Sequence, residues 1–162
     1  MKIKLDEKLP ITNFFYLDKE DNIKKIKSNE IYQNESLIVI GVPGAFTKVC
    51  STKHLPGYVS NYDEAKKKGV TKIVCVSVND PNVMKAWGEH LNVQDKIFMA
   101  ADPFCEFTKA IGAEVDKSIK GLGLRSERYT MHVVNGLIKK IKVEENTAKC
   151  EISAAENFIK DI

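Results

Sequence analysis

Ser36-Leu37-Ile38-Val39-Ile40-Gly41-Val42-Pro43-Gly44-Ala45-Phe46-Thr47-Lys48-Val49-Cys50 is the stretch on which the reading of this chain turns. Its first seven residues form an unbroken, β-branched apolar run that stops at Pro-Gly. That is the pattern of a strand buried on both faces, as in a parallel or mixed sheet. Beyond it, Cys50 to Lys68 reads as helical, with a break expected at Leu55-Pro56-Gly57, because proline lacks the N–H a helix interior needs. Strand, short loop and helix therefore follow one another, and Cys50 falls in the first helical turn.

Working outward, Thr71 to Val78 (TKIVCVSV) is a second buried strand. Asp80-Pro81 then opens a helix through Trp87 and His90, with aspartate as N-cap and proline at the first helical position. Ile97 to Ala101 (IFMAA) is a third strand, and Asp102-Pro103 predicts another helix opened in the same way. Arg128 to Val134 and Leu137 to Val143 are strands joined by Asn135-Gly136, a tight-hairpin signal. Ser153 is expected to cap a last helix to Ile162. On the N-terminal side, Asn13 to Leu17 and Ile23 to Ile26 flank an acidic turn and suggest a small hairpin. The order describes an α/β chain with a mixed central sheet flanked by helices, and it suits a thioredoxin-like fold.

The 162 residues are read as one domain, 1–162, with no repeat, linker or low-complexity tract. Hydrophobic residues make up 43% and charged residues 29%, an ordinary globular balance. The net charge of +3 is too slight to argue for a nucleic-acid partner. Lys66-Lys67-Lys68 and Lys139-Lys140 carry no interleaved aromatics and read as solvated faces. Leu37 to Val42 is of strand length, not membrane-spanning length, so no membrane partner is expected. Met1 to Asp6 lacks the apolar core of a signal peptide, although a trimmed leader is compatible with that start.

The cysteines, Cys50, Cys75, Cys105 and Cys150, are 25, 30 and 45 residues apart. This spacing provides neither a zinc knuckle nor a C-x-x-C dithiol. They read as reduced thiols of an intracellular, reducing compartment, cytoplasm or organelle matrix. No phosphate loop or His/Cys metal cluster is found, so no cofactor and no metal are expected. Cys50 stands out by position. At a helix N-terminus, unpaired N–H groups and the helix dipole favour negative charge. A thiol there ionises more readily, from about 8.5 into roughly the 3.5–7.5 range. Thr47 lies one turn earlier, which is expected to place its hydroxyl beside the sulfur. Pro43 and Phe46 are expected to give an apolar wall.

Pro43-Gly44-Ala45-Phe46-Thr47-x-x-Cys50-Ser51 resembles the active-site motif of the peroxiredoxins. His54-Leu55-Pro56-Gly57-Tyr58, Ser77-Val78-Asn79-Asp80, Trp87-Gly88, Ala101-Asp102-Pro103 and Leu122 to Tyr129 resemble landmarks of the type-five, or type II, subfamily. These run in family order from about residue 37 to the C-terminus. The resemblance implies a thiol-dependent peroxidase that reduces hydrogen peroxide and organic hydroperoxides through a sulfenic acid on Cys50. Thr47 would hydrogen-bond the sulfur and the peroxide, Pro43 would shield the site, and Arg128 would contact thiolate and departing oxygen. It also implies glutathione, glutaredoxin or thioredoxin as reductant, and a homodimer. Two positions depart from the pattern. Lys48 stands where many members have proline, and Val49, where a small residue is common, is expected to narrow the pocket mouth.

The other thiols have plainer readings. Cys75, inside IVCVSV, reads as a small buried hydrophobe, although it also resembles a second cysteine of plant-type members considered a resolving thiol. Cys105 shares a helix start with Cys50, but Asp102 and Glu106 beside it oppose ionisation. Cys150 lies two residues from where some members carry a resolving cysteine. His54 reads as structural, since a thiolate activated by dipole and arginine needs no base. Without a firm internal resolving cysteine, a one-cysteine cycle is expected. The rival from another class is a non-catalytic peroxide sensor or chaperone-like binding module on the same fold, which would have no need of Thr47, Cys50 and Arg128 together.

Overall fold

The computed structural model describes residues 1–162. The chain opens with the expected hairpin, β1 (Asn13–Leu17) antiparallel to β2 (Ile23–Lys27). The Asp18 carboxylate accepts N–H bonds from Glu20 and Asn22, an Asx-type turn that folds β2 back onto β1. A one-turn helix, α1 (Ser28–Tyr32), leads into β3 (Ser36–Val42). A π-helical turn, Cys50–His54, runs into α2 (Leu55–Ser60), and α3 (Tyr62–Lys67) follows past Asn61. Next come β4 (Lys72–Ser77), α4 (Pro81–His90), β5 (Ile97–Ala101) and α5 (Glu106–Ala110). A two-stranded sheet, β6 (Glu114–Asp116) with β7 (Leu124–Ser126), precedes the hairpin of β8 (Tyr129–Val134) and β9 (Leu137–Val143). The last helix is α6 (Ala155–Phe158).

The main sheet has seven strands in the order β2-β1-β5-β4-β3-β8-β9. β3, β4 and β5 are parallel, and the strands outside them pair antiparallel. This is the mixed, thioredoxin-like sheet with helices against it that the sequence leads one to expect. The unbroken apolar run of β3 has a direct cause. Ile38, Ile40 and Val42 pack into one core with Tyr58, Trp87 and Phe158, while Leu37 and Val39 pack into a second with Phe107, Met131 and Ile138. A strand covered on both faces has no polar side to alternate with.

The topology also sets the site. β3, β4 and β5 all end at one edge of the sheet, and β8, antiparallel to β3, starts there. Gly41 pairs with Tyr129, so Arg128 enters directly opposite the loop that follows β3. The close pairing depends on glycine: a Cβ at Gly41 would lie 2.0 Å from Tyr129 Cε1. Gly41→Ala should cost about 1–3 kcal/mol of stability by overpacking, read as a lower denaturation midpoint. An unchanged midpoint would mean that the Tyr129 ring moves aside freely.

Four local expectations are corrected. The helix from Cys50 does not break at Leu55-Pro56-Gly57. Leu55 N–H bonds to Cys50 C=O across a π turn, Pro56 is absorbed at the start of α2, and the interruption comes at Asn61 instead. Proline's missing donor is tolerated at a helix start, and the wide turn before it supplies one. Asp102-Pro103 does not open a helix directly. The Asp102 carboxylate reaches forward to accept from Phe107 and Thr108 N–H, and α5 begins only at Glu106. Cys105 precedes α5 with φ of 59°, in the left-handed region, not within a first turn. Ser153 caps nothing: its hydroxyl donates to Glu144, and the final helix is four residues followed by a 3-10 turn, Ile159–Asp161.

Candidate active site

The loop after β3 is held from three sides. Asn79 Oδ1, just beyond β4, accepts from Ala45 N–H at 2.9 Å, Ser77 Oγ at 2.7 Å and Arg125 Nη1 at 3.3 Å. Gly44 is packed so closely that a Cβ there would stand 3.0 Å from Arg125 Nη1. Phe46 takes a left-handed φ of 59°, a conformation rarely held without surrounding constraint. Thr47 donates its hydroxyl proton to Gly44 C=O at 2.9 Å, closing the turn from which the helix starts. The helix is pinned from behind, where Trp87 Nε1 donates to Ser51 Oγ at 2.9 Å.

Cys50 is 0% exposed. Arg128, 1% exposed, donates from Nη2 to Cys50 Sγ at 3.4 Å. The same guanidinium donates from Nη2 and Nε to Thr147 C=O, at 2.9 and 3.3 Å, and from Nη1 to His54 Nδ1 at 3.1 Å. His54 Nε2 lies 3.2 Å from Ser153 C=O and 3.3 Å from Thr130 Oγ1. Tyr58 and Thr130 hydroxyls donate to that carbonyl as well, each at 2.9 Å. Burial and then the adjacent guanidinium push the His54 imidazole down to about 3, so the ring is neutral. Glu144, held ionised by N–H bonds from Ser153 and Glu151 and by the Ser153 hydroxyl, anchors the loop that supplies Thr147.

The other thiols sit in settings that oppose ionisation. Burial raises Cys75, in mid-strand between Ile40 and Met99, and the neighbouring Cys50 raises it further. Cys105 is raised by burial and then by Asp102. Cys150, 2% exposed, is raised by burial against an opposing pull from Arg128. No disulfide joins any of the four.

The structure thus brings Cys50 and Arg128 together; in the segment before Cys50, Pro43 is buried and Thr47 and Val49 are half-buried, and the Thr47 hydroxyl is on Gly44 C=O, not on the sulfur. It does not make Phe46 a buried wall: the ring leans on His90 of α4 at 5.7 Å and remains 53% exposed. Lys48 is exposed at the start of the helix. A cleft of about 960 Å³ lies at the far end of the sheet, beside Tyr16, Thr71 and Phe98, and is lined by no cysteine. No cluster of His, Cys, Asp or Glu is arranged to hold a metal ion, and no helix is long and apolar enough to cross a membrane.

Comparison with known proteins decides the family. The redoxin family model matches residues 4–159. Peroxiredoxin-2D of Arabidopsis thaliana is 36% identical over 158 residues, which span 98% of this chain and 97% of the relative. The chain belongs to the peroxiredoxins. It is a thiol-dependent peroxidase, an oxidoreductase that takes a peroxide as oxidant and a thiol as reductant. Reduced Prx3 from Vibrio vulnificus, solved in complex with hydrogen peroxide, superposes with a TM-score of 0.92 at 41% identity, covering 98% of each chain. A 1-Cys peroxiredoxin, the antioxidant protein of Plasmodium falciparum, gives 0.91 at 28% identity over 99% of this chain and all of that one.

Several residues that build this peroxiredoxin's site carried little signal in the sequence. The Thr147 carbonyl is backbone, and any residue supplies one. Asn79 sits inside a recognisable landmark, yet its bond to the loop depends on β4 ending beside β3. Cys50, His54 and Tyr58 are spaced by four, which does place them on one helical face, and all three are buried.

Proposed function

We propose that Cys50 is the residue on which the peroxidase reaction runs. Its thiolate attacks one peroxide oxygen, the O–O bond breaks, and the leaving oxygen departs as water or an alcohol after taking a proton. Cys50 is left as a sulfenic acid. Arg128, whose Nη2 donates to the sulfur, stabilises negative charge there and then on the departing oxygen. Thr47, with its proton on Gly44 C=O, exchanges that bond to engage the peroxide, and Pro43 and Val49 limit water at the sulfur. The observation that carries this reading is the 3.4 Å contact between Arg128 Nη2 and Cys50 Sγ, which none of the other cysteines has.

A thiol then attacks the sulfenic acid sulfur, water leaves, and a second thiol releases the mixed disulfide. We favour an external reductant, glutathione with glutaredoxin or thioredoxin, and a one-cysteine cycle. Cys75 is fixed in mid-strand with its thiol pushed up by burial, and Cys150 lies on the loop that Arg128 and Glu144 hold in place. Four free thiols suit a reducing compartment, cytoplasm or organelle matrix. Mass spectrometry of each Cys→Ser variant after one equivalent of peroxide tests the scheme. One oxygen should be gained on Cys50 in the Cys75, Cys105 and Cys150 variants, and a disulfide in any of them would replace the one-cysteine cycle with an internal one.

The partner for assembly is a second copy of this chain. Phe46 and Phe104 are exposed on loops at the edge of the sheet where Cys50 lies, an apolar surface that suits a self-complementary interface. Sedimentation should give the mass of two chains, and Phe46→Asp should shift the equilibrium toward one. A monomer at high concentration, or a decamer, would overturn this arrangement.

A further inference from the structure

We propose that His54 is a positioning residue for Arg128, its Nδ1 lone pair fixing the guanidinium in the orientation that presents Nη2 to Cys50 Sγ. The inference rests on Cys50 being the attacking thiolate. A guanidinium is a rigid plane with five donors. Arg128 places Nε and one Nη2 hydrogen on a single oxygen, Thr147 C=O. One acceptor makes a pivot, about which the plane swings. The second anchor, Nη1 to His54 Nδ1 at 3.1 Å, removes that freedom and leaves the remaining Nη2 hydrogen pointing at the sulfur, 3.4 Å from nitrogen to sulfur.

The arrangement also fixes the state of the ring. An Nδ1 that accepts from arginine carries no proton, so the imidazole proton is on Nε2, within reach of Ser153 C=O and Thr130 Oγ1. The three donors around Ser153 C=O, from His54, Tyr58 and Thr130, hold the ring from its far side. Tyr58 packs edge-on at 5.8 Å between ring centroids. Cys50 and His54 lie on the same turn, so the helix that aims the sulfur also aims the acceptor that orients its counter-charge. A ring that only filled space would need no lone pair toward Arg128.

Two variants separate positioning from filling. His54→Asn keeps an acceptor, Oδ1, where Nδ1 stood. His54→Gln instead keeps a donor near Nε2 and loses the acceptor toward Arg128. The readout is the rate of reaction of reduced protein with hydrogen peroxide, at a pH above which the rate no longer rises. It is followed by the fluorescence of Trp87, which is bonded to Ser51 beside Cys50. His54→Asn should stay within about threefold of the parent and His54→Gln should be about tenfold slower, less than removal of a direct charge-stabilising donor. Equal rates in the two, or rates ranked by thermal midpoint alone, overturn the proposal.

A double-mutant cycle guards against a Gln variant that fails to fold. In an Arg128→Met background, His54→Leu and whichever amide variant folds should cause no further loss of rate, because the residue acts only through Arg128. Additive losses overturn the proposal. Failure of the underlying reading would be distinct, since turnover would then persist in Cys50→Ser.

Discussion

Cys50→Ser should lower peroxide turnover by about a thousandfold or more, to the background of the buffer and reductant. Cys75→Ser, Cys105→Ser and Cys150→Ser should each keep most of the activity. The asymmetry follows from where the thiols sit. A nucleophile must reach the peroxide as an anion, and burial without a compensating charge favours the neutral thiol. Cys75, Cys105 and Cys150 are all pushed upward by burial, whereas Cys50 receives a hydrogen bond from a guanidinium. Steady-state assays with each candidate reductant measure the effect. Substantial turnover in Cys50→Ser would sink the proposed chemistry. Loss in another variant that still forms the Cys50 sulfenic acid would identify a resolving thiol.

Arg128→Met should slow the peroxide step by about a hundredfold or more, and the loss should persist at alkaline pH. Two effects combine in this variant. The fixed positive charge beside the sulfur is removed, and with it a contact that favours an anion there. A loss of that kind recovers as the pH rises, because an acid is driven to its anion as protons become scarce. The second effect does not recover. Negative charge moves to the departing oxygen as the O–O bond breaks, and methionine offers it no donor at any pH. A thiolate stabilised by its surroundings is moreover a weaker nucleophile, so ionisation alone gives limited acceleration. Thiolate absorbance against pH, with stopped-flow rates over the same range, separates the two. Full recovery of the rate at high pH would reduce Arg128 to an ionisation device, and no change at all would remove it from the site.

The sequence was most legible where one local rule decided the outcome. β3 is apolar on both faces, and its boundaries match the expected run. Asp80 caps α4 through bonds from Asn82 and Val83 N–H, with Pro81 at the start. Asn135 and Gly136 take φ of 48° and 80°, as a tight hairpin requires. Legibility fell where two local rules competed. Pro56 carries a breaker signal, but it sits at a change of helical register that accommodates a missing donor. Asp102-Pro103 has the cap signature, yet the carboxylate finds its N–H partners further along. β6 and β7, at three residues each, are too short to show alternation.

The site divides in the same way. The pairing of Cys50 with Arg128 was reachable through motif resemblance, and the register between β3 and β8 gives it a physical cause. The apolar wall expected of Phe46 was not found, because a left-handed φ turns that residue out toward His90. What orients Arg128 was out of reach, since it consists of a backbone carbonyl from a distant loop and a histidine whose lone pair has meaning only once the arginine stands beside it.

The outermost strands of the sheet, β2 and β9, each carry three lysines, Lys24, Lys25 and Lys27 on one and Lys139, Lys140 and Lys142 on the other. An open sheet ends in unpaired backbone groups that invite another chain to continue the ladder, a route to fibrils. A copy docking edge to edge would have to bring these cations together out of water. The lysines of β2 guard one exit by charge, and at the other the start of β9 is already taken: Asp6 N–H donates to Ile138 C=O, Ile138 N–H to Glu7 C=O and Leu9 N–H to Gly136 C=O. Replacing Lys24, Lys25 and Lys27 with threonine, on a strand four places from β3 in the sheet, should make that edge a template for strand addition.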